Sequence, residues 1–311
     1  MQILIANPVS HMERFAEMGD KMNLDDVETF YSTLPNILDQ NNIKYKMLYL
    51  RSNKPVIYNE PDSIYLSWHT HGTLANIWHL KTSYIPGYFS FDKNGYGPWS
   101  ELVTEGDYEI PVELVRKNVE NFCKDYVDNK KSRVKQPNAS FGIPDEPYVL
   151  VLGQRPDDPV SKFADIDTMT LMHKVSELYK DTKYKVCTKQ HPLESGIPYG
   201  TATDIQLTGN IHDCIAGASA IYTVNSGSGF EALLHGKRVF TTGQCDYHWA
   251  TDVIKNDEDL ANSVELIEEP IDEDNRIKFL YYAITYHFVD ITNPDAIMGK
   301  ILRTVMEYEE S

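Results

Sequence analysis

The sequence predicts an α/β protein built from two Rossmann-like halves. Three observations carry that reading. At 311 residues the chain is about twice an ordinary domain. From residue 148 onward, apolar runs without polar alternation are joined by helical stretches, the pattern of a parallel sheet covered on both faces. Between the halves, 128–147 holds Lys130, Lys131, Arg133, Lys135, Pro137, Asn138, Gly142, Pro144 and Pro147 with few apolar residues, which reads as a linker.

The elements follow in order. Residues 2–6 form a short apolar strand that ends at Asn7-Pro8. Val27, Phe30, Tyr31, Leu34, Ile37 and Leu38 recur at helical spacing over 25–40, with Asp25 and Asp26 at the end that favours acids. Strands are expected at 44–50 and 63–68. Pro111 suits a first helical turn, and Val112, Val115, Val119 and Phe122 give that helix one apolar face over 111–127.

In the second half, strands at 148–152, 184–188, 220–224 and 238–242 alternate with helices at 167–180, 210–217, from the turn at 225 to 235, and at 257–265. Two helical stretches, 274–288 and 295–308, end the chain. The implied division is a first domain over 1–128, a linker over 129–146, a second domain over 147–272, and C-terminal helices over 273–311 that pack back across a cleft. A ligand would then sit between facing halves, near strand C-terminal ends.

Charge and cysteine usage narrow the class. Lys plus Arg number 29 against 46 Asp plus Glu, a net charge of −17, which opposes broad attraction to nucleic acid or anionic membrane. No apolar run approaches a membrane span, and the N-terminus lacks a signal-peptide pattern. Cys123, Cys187, Cys214 and Cys245 have neither zinc nor CxxC spacing, which suits reduced thiols in the cytoplasm.

Three segments at expected strand ends carry the chemistry. Asn225-Ser226-Gly227-Ser228-Gly229 joins a strand to a helix: its glycines admit a ligand to the backbone, and its free N–H groups and hydroxyls suit a phosphate. Glu231, one turn on, is placed to accept from ribose hydroxyls. Lys189-Gln190-His191-Pro192 puts an imidazole donor after another strand, with Pro192 fixing the loop. Gly153-Gln154-Arg155-Pro156-Asp157-Asp158 supplies two adjacent carboxylates, suited to a nucleophile or base; alone it reads sooner as a solvated Asp-rich turn.

In that order and spacing the three segments resemble bacterial capsule-polysaccharide glycosyltransferases of the β-Kdo transferase type. Those carry Gly-Gln-x-Glu-Asp-Asp, Lys-x-His-Pro and Ser-x-x-Gly-Phe-Glu-Ala-Leu…Gly-Lys. Here Ser226, Gly229, Phe230, Glu231, Ala232, Leu233, Gly236 and Lys237 match the last. Weaker likeness runs through Gly243-Gln244-Cys245-Asp246-Tyr247-His248-Trp249, and through Tyr88-Phe89-Ser90-Phe91-Asp92-Lys93-Asn94-Gly95 to Ser100-Glu101-Leu102 in the first half. Pro156 stands where the family has Glu, and Ala250-Thr251-Asp252 replaces its Gly-Leu-Thr.

The resemblance implies a GT-B-like architecture and transfer of a sugar from a nucleotide-activated donor, CMP-Kdo or a UDP-sugar, to an acceptor hydroxyl, with retention. Asp158 would be the catalytic nucleophile, with Asp157 beside it. His191, Ser226 and Ser228 would hold the donor phosphate, Glu231 the ribose, and Gln154, Lys189, Pro192, Gly227 and Gly229 would line the same site. No metal or other cofactor is required in this reading.

His69 and His71 alternate at a strand end and, with Tyr247 and Trp249, are weaker candidates for acceptor or sugar contacts; a His-x-His pair without a third ligand makes a poor metal site. The Lys130–Lys135 cluster reads as a solvated linker sooner than as a polyanion site. Rival readings keep the architecture. One is a transferase acting on hydroxylated bases of viral DNA, the only case in which nucleic acid is a partner. The others are a nucleotide-sugar epimerase or hydrolase, and a non-catalytic binding protein.

Overall fold

The computed structural model describes residues 1–7, 9, 13, 25–49, 60, 62–104, 109–155, 158–192, 203 and 205–310. The chain is α/β throughout, with two six-stranded sheets among the described residues. It divides into two compact units. Unit 1 comprises 1–104, 132–135 and 282–311; unit 2 comprises 105–131 and 136–281.

Unit 1 carries β1 (Gln2–Asn7), α1 (Asp25–Gln40), β2 (Tyr45–Tyr49), β3 (Ser63–Trp68), β4 (Ile77–Thr82) and β5 (Tyr88–Asp92). From the end of the chain it also takes β12 (Phe288–Asp290) and α8 (Pro294–Glu309). Its strand order is β12-β5-β4-β3-β1-β2, parallel from β4 to β2 and antiparallel at β5 and β12. Alternation sorts the side chains. Ile3, Ile5, Ile64, Leu66, Trp68, Trp78, Leu80, Phe89 and Phe91 form one core with Val27, Phe30, Leu34 and Leu38 of α1 and Ile297 and Ile301 of α8. The opposite face carries the buried polar residues Ser67, His79, Ser90 and Asp92.

Unit 2 begins with α2 (Val112–Asp128). It continues with β6 (Tyr148–Leu152), α3 (Thr168–Tyr179), β7 (Lys185–Lys189), β8 (Ile205–Gln206), α4 (Ile211–Ala216) and β9 (Ala220–Thr223). Then come α5 (Gly227–Leu234), β10 (Val239–Thr241), β11 (Asp252–Val253), α6 (Asp257–Leu266) and α7 (Glu273–Tyr282). The order β11-β10-β9-β6-β7-β8 is parallel throughout. Val149, Val151, Tyr222 and Phe240 face Leu171, Met172 and Val175 of α3 and Leu260 of α6. Tyr148, turned the other way, donates its hydroxyl to the Cys214 carbonyl of α4 at 2.6 Å. Helices therefore cover both faces, as the unbroken apolar strands require.

The structure departs from the sequence expectation in three places. The helix at 112–128 falls in unit 2, and the last helix falls in unit 1, so the compact units do not divide at the polar 129–146 stretch. The helix expected over 274–288 stops at Tyr282, passes through a π-helical turn at Ala283–His287, and becomes β12, whose Phe288 and Val289 pair with Ser90 and Phe89. Strands β4, β5, β8 and β11 were not anticipated. Two are only two residues long, and β4 interrupts its apolar pattern with His79 and Lys81. No helix of the described residues is long and apolar enough to cross a membrane.

Candidate active site

The three motifs of the second half lie after β9, β6 and β7, which are immediate neighbours in the parallel sheet. Their loops therefore share one edge of unit 2, the carboxyl edge, where α/β sheets bind ligands.

After β9, Ser226 caps α5, its hydroxyl accepting from the Ser228 N–H at 3.4 Å. The Gly229 N–H turns back to the Ser226 carbonyl at 2.9 Å. The first N–H groups of a helix lack helical acceptors, and the helix dipole adds partial positive charge there. Gly227 and Ser228 are half-buried and Gly229 is buried.

The turn is held from beneath. Asn225 donates its side-chain amide to the carbonyls of Val160 and Gln244, at 2.9 and 3.2 Å, which fixes its Oδ1 as an acceptor. That oxygen receives Gln154 Nε2 at 2.5 Å, while Gln154 Oε1 takes the Asn225 backbone N–H at 3.1 Å. Gln154, placed in the ligand site by the sequence, is thus a brace between the ends of β6 and β9.

Asp158 caps a short 3-10 turn, Pro159–Phe163, accepting from the Val160 N–H at 3.2 Å, and is half-buried. Asp157, with Pro156, lies outside the described residues. Lys189 ends β7 and donates to the Gly209 carbonyl at 2.8 Å. Burial pulls its ammonium below the ordinary value, while nearby Cys214 and Glu231 act in the other direction. His191 follows it, half-buried, and Pro192 is exposed. Glu231 is only 6% exposed and accepts from the Tyr126 hydroxyl of α2 at 3.1 Å. One of its oxygens is therefore engaged from inside the unit.

The weaker candidates do not form one group. Tyr247, 0% exposed, donates its hydroxyl to the Ser226 carbonyl at 2.5 Å and so faces the turn of α5 and not an acceptor. Trp249 sits in the 3-10 turn His248–Ala250, where its carbonyl accepts from Asn275. His69 and His71 belong to unit 1. His69 stacks on Tyr96 at 4.6 Å, and exposed His71 lies flat on Trp99 at 4.1 Å. Lys130 and Lys131, both in unit 2, pair with Asp213 and Asp125.

The sequence singled out Asp92 only as part of a likeness; the structure gives it a job. Fully buried at the end of β5, it accepts from the N–H groups of Asn94 (2.7 Å) and Gly95 (2.8 Å), the Ser100 hydroxyl (2.5 Å) and the Glu101 N–H (3.1 Å). One carboxylate so ties down the whole 93–101 segment. Gly95 stands where any Cβ would come within 2.7 Å of the His71 Cβ.

The imidazole of His287, 2% exposed, lies between Asp92 and Glu101, with Nε2 and Nδ1 each 3.6 Å from one of them. Burial acts to raise the Glu101 carboxyl, but His287 and the Lys300 ammonium outweigh it and hold it below its ordinary value. The ligand atoms of these three residues fall within 4.8 Å of one another, a spacing a metal can use. Both Asp92 oxygens are already taken by protein donors, however, and the carboxylates face different ring nitrogens. That is the geometry of an imidazole between two carboxyl groups, of which burial raises the Asp92 carboxyl.

Comparison with known proteins agrees with the resemblance read from the sequence. Residues 144–262 match the model of a family described as "Capsule polysaccharide biosynthesis protein". The chain is similar in structure to two β-Kdo transferase structures of Thermosulfurimonas dismutans KpsC. With the 2,7 transferase the TM-score is 0.56 at 16% identity, and with the 2,4 transferase 0.56 at 15%, each over 93% of this chain and 92% of the other. No curated protein matches the sequence. The chain thus carries a capsule-polysaccharide-biosynthesis signature over 144–262, on the two-sheet, GT-B-like fold of the β-Kdo transferases.

Proposed function

We propose that the protein is a glycosyltransferase that moves a sugar from a nucleotide-activated donor to an acceptor hydroxyl. One observation carries the reading: the three family-like motifs emerge at the carboxyl ends of three adjacent parallel strands, β9, β6 and β7. In this reading the donor phosphate meets the N–H of Gly227, the hydroxyl of Ser228 and the imidazole of His191. Asp158, on the neighbouring β6 loop, attacks the anomeric carbon; the carbon–oxygen bond to phosphate breaks and a glycosyl ester forms. The acceptor oxygen then displaces Asp158, giving retention. Glycosyl transfer to a hydroxyl also releases one proton, which passes to a base or to solvent.

The donor is a CMP- or UDP-linked sugar, CMP-Kdo first among them by analogy with the two similar structures, and the acceptor is a glycan or another hydroxyl compound. A thermal-shift panel of CMP, UDP, GDP, TDP and ADP without metal tests the nucleotide site. A ligand at a hundredfold excess over Kd stabilises the native state by about 2.7 kcal/mol. Release of nucleotide from the matching sugar nucleotide, abolished in Asp158→Asn, tests the chemistry. Nucleotide release unchanged in that variant excludes Asp158 as nucleophile.

A further inference from the structure

The Ser226–Gly227 peptide has both ends in use in different ways. Its carbonyl, on Ser226, points inward and accepts two hydrogen bonds, from the Gly229 N–H at 2.9 Å and from the Tyr247 hydroxyl at 2.5 Å. Its N–H, on Gly227, is the first of α5 and has no acceptor within the helix. Hydrogen bonds in a chain polarise one another, so a donor on the carbonyl strengthens the N–H of the same peptide.

Tyr247 is suited to that task. It is completely buried, and its ring packs edge-on to Phe230 of α5 at 6.3 Å. Gly229 makes the approach possible: a Cβ there would lie 2.5 Å from the phenol oxygen and about 3 Å from the ring. The short side of α5 and the tyrosine are therefore matched to each other.

We infer that Tyr247 is a positioning residue for the anion-binding turn: through the Ser226 carbonyl it orients and polarises the Gly227 N–H toward the donor phosphate. The inference rests on the proposed function. It assigns to Tyr247 a role in phosphate affinity that packing alone would not give it, and makes Gly229 its steric partner.

The test uses the full chain and four probes, CMP and UDP against cytidine and uridine, measured by calorimetry with competition for weak binders. Tyr247→Phe keeps the ring and removes the donor. It should weaken the bound nucleotide severalfold, through lost orientation and polarisation of the Gly227 N–H, while leaving the corresponding nucleoside within twofold. Gly229→Ala, which displaces the phenol, should show the same nucleotide-only loss, and the two together no more than the larger single loss. Site-specific 3-fluorotyrosine at 247, a stronger donor of the same shape, should tighten nucleotide binding. A Tyr247→Phe protein that binds nucleotide as the wild type does overturns the inference, as does a loss shared equally by nucleotide and nucleoside. If the wild-type chain binds none of the nucleotides, the donor-site reading fails, and this inference with it.

Discussion

The imidazoles of His212 and His235 share a hydrogen bond, Nδ1 of the first lying 2.9 Å from Nε2 of the second. The other nitrogen of His212, Nε2, is 2.8 Å from the Lys131 carbonyl, which can only accept. His212 therefore carries its proton on Nε2, its Nδ1 accepts, and His235 donates from Nε2. The arrangement joins the segment after α2, α4 and the end of α5.

Acid should destabilise the fold through two buried imidazoles, His235 and His79. Burial, then the charges of His212 and Lys237, pushes His235 down to about 4, and burial does the same to His79 in unit 1. Both folded values lie below the unfolded value of 6.5, so the unfolded chain takes up protons first as pH falls. Stability is then intact above pH 6.5 and declines down to about pH 4, by roughly 3 kcal/mol for His79 alone. Urea unfolding at pH 7.5, 5.5 and 4.5 checks the slope. His79→Gln should flatten it, and an unchanged slope in that variant would exclude His79 as its source.

Asp92 anchors the 93–101 segment through four donors, so Asp92→Ala leaves several buried N–H and O–H groups without an acceptor. We expect a loss of about 3–5 kcal/mol, against about 1 kcal/mol for Ser100→Ala, which removes one of the four. Chemical unfolding of both variants gives the comparison. Equal losses would mean that the segment is held by something other than the carboxylate.

The orientation of the Gln154 amide is dictated by Asn225, whose own amide nitrogen is committed to two carbonyls. Gln154→Glu replaces a donor with an oxygen facing the Asn225 Oδ1 acceptor. It should destabilise unit 2 by about 2 kcal/mol and weaken nucleotide binding, although Glu is nearly isosteric. A Glu variant as stable as the wild type would show that the brace tolerates either group.

Much of this was legible in the sequence, for reasons that differ by element. The strands of unit 2 are buried on both faces, so their apolar runs announced a parallel sheet, and the Ser-Gly-Ser-Gly turn announced where α5 begins. Long-range pairings left no such mark. Nothing local marks α2 as a partner of Glu231, since Tyr126 reads simply as one more apolar position on a helix. Tyr247 looked like an aromatic available to a sugar; only the fold puts its hydroxyl under Ser226. The Asp92 cradle was visible as a likeness without a reason, because an Asp that collects backbone N–H groups is indistinguishable in sequence from a solvated turn residue. The polar 129–146 stretch misplaced the units because a solvated connection need not coincide with the point where contacts divide.

The donor-phosphate site is tested most directly by an NMR titration of protein labelled on glycine and serine amides, following Gly227 and Ser228 as CMP or UDP is added without metal. One nucleotide should shift both amides saturably, Gly227 to lower field as it bonds to phosphate, and His191→Ala should weaken the effect. Saturation by a nucleotide that leaves Gly227 and Ser228 unmoved, or no binding of either nucleotide, would contradict that site.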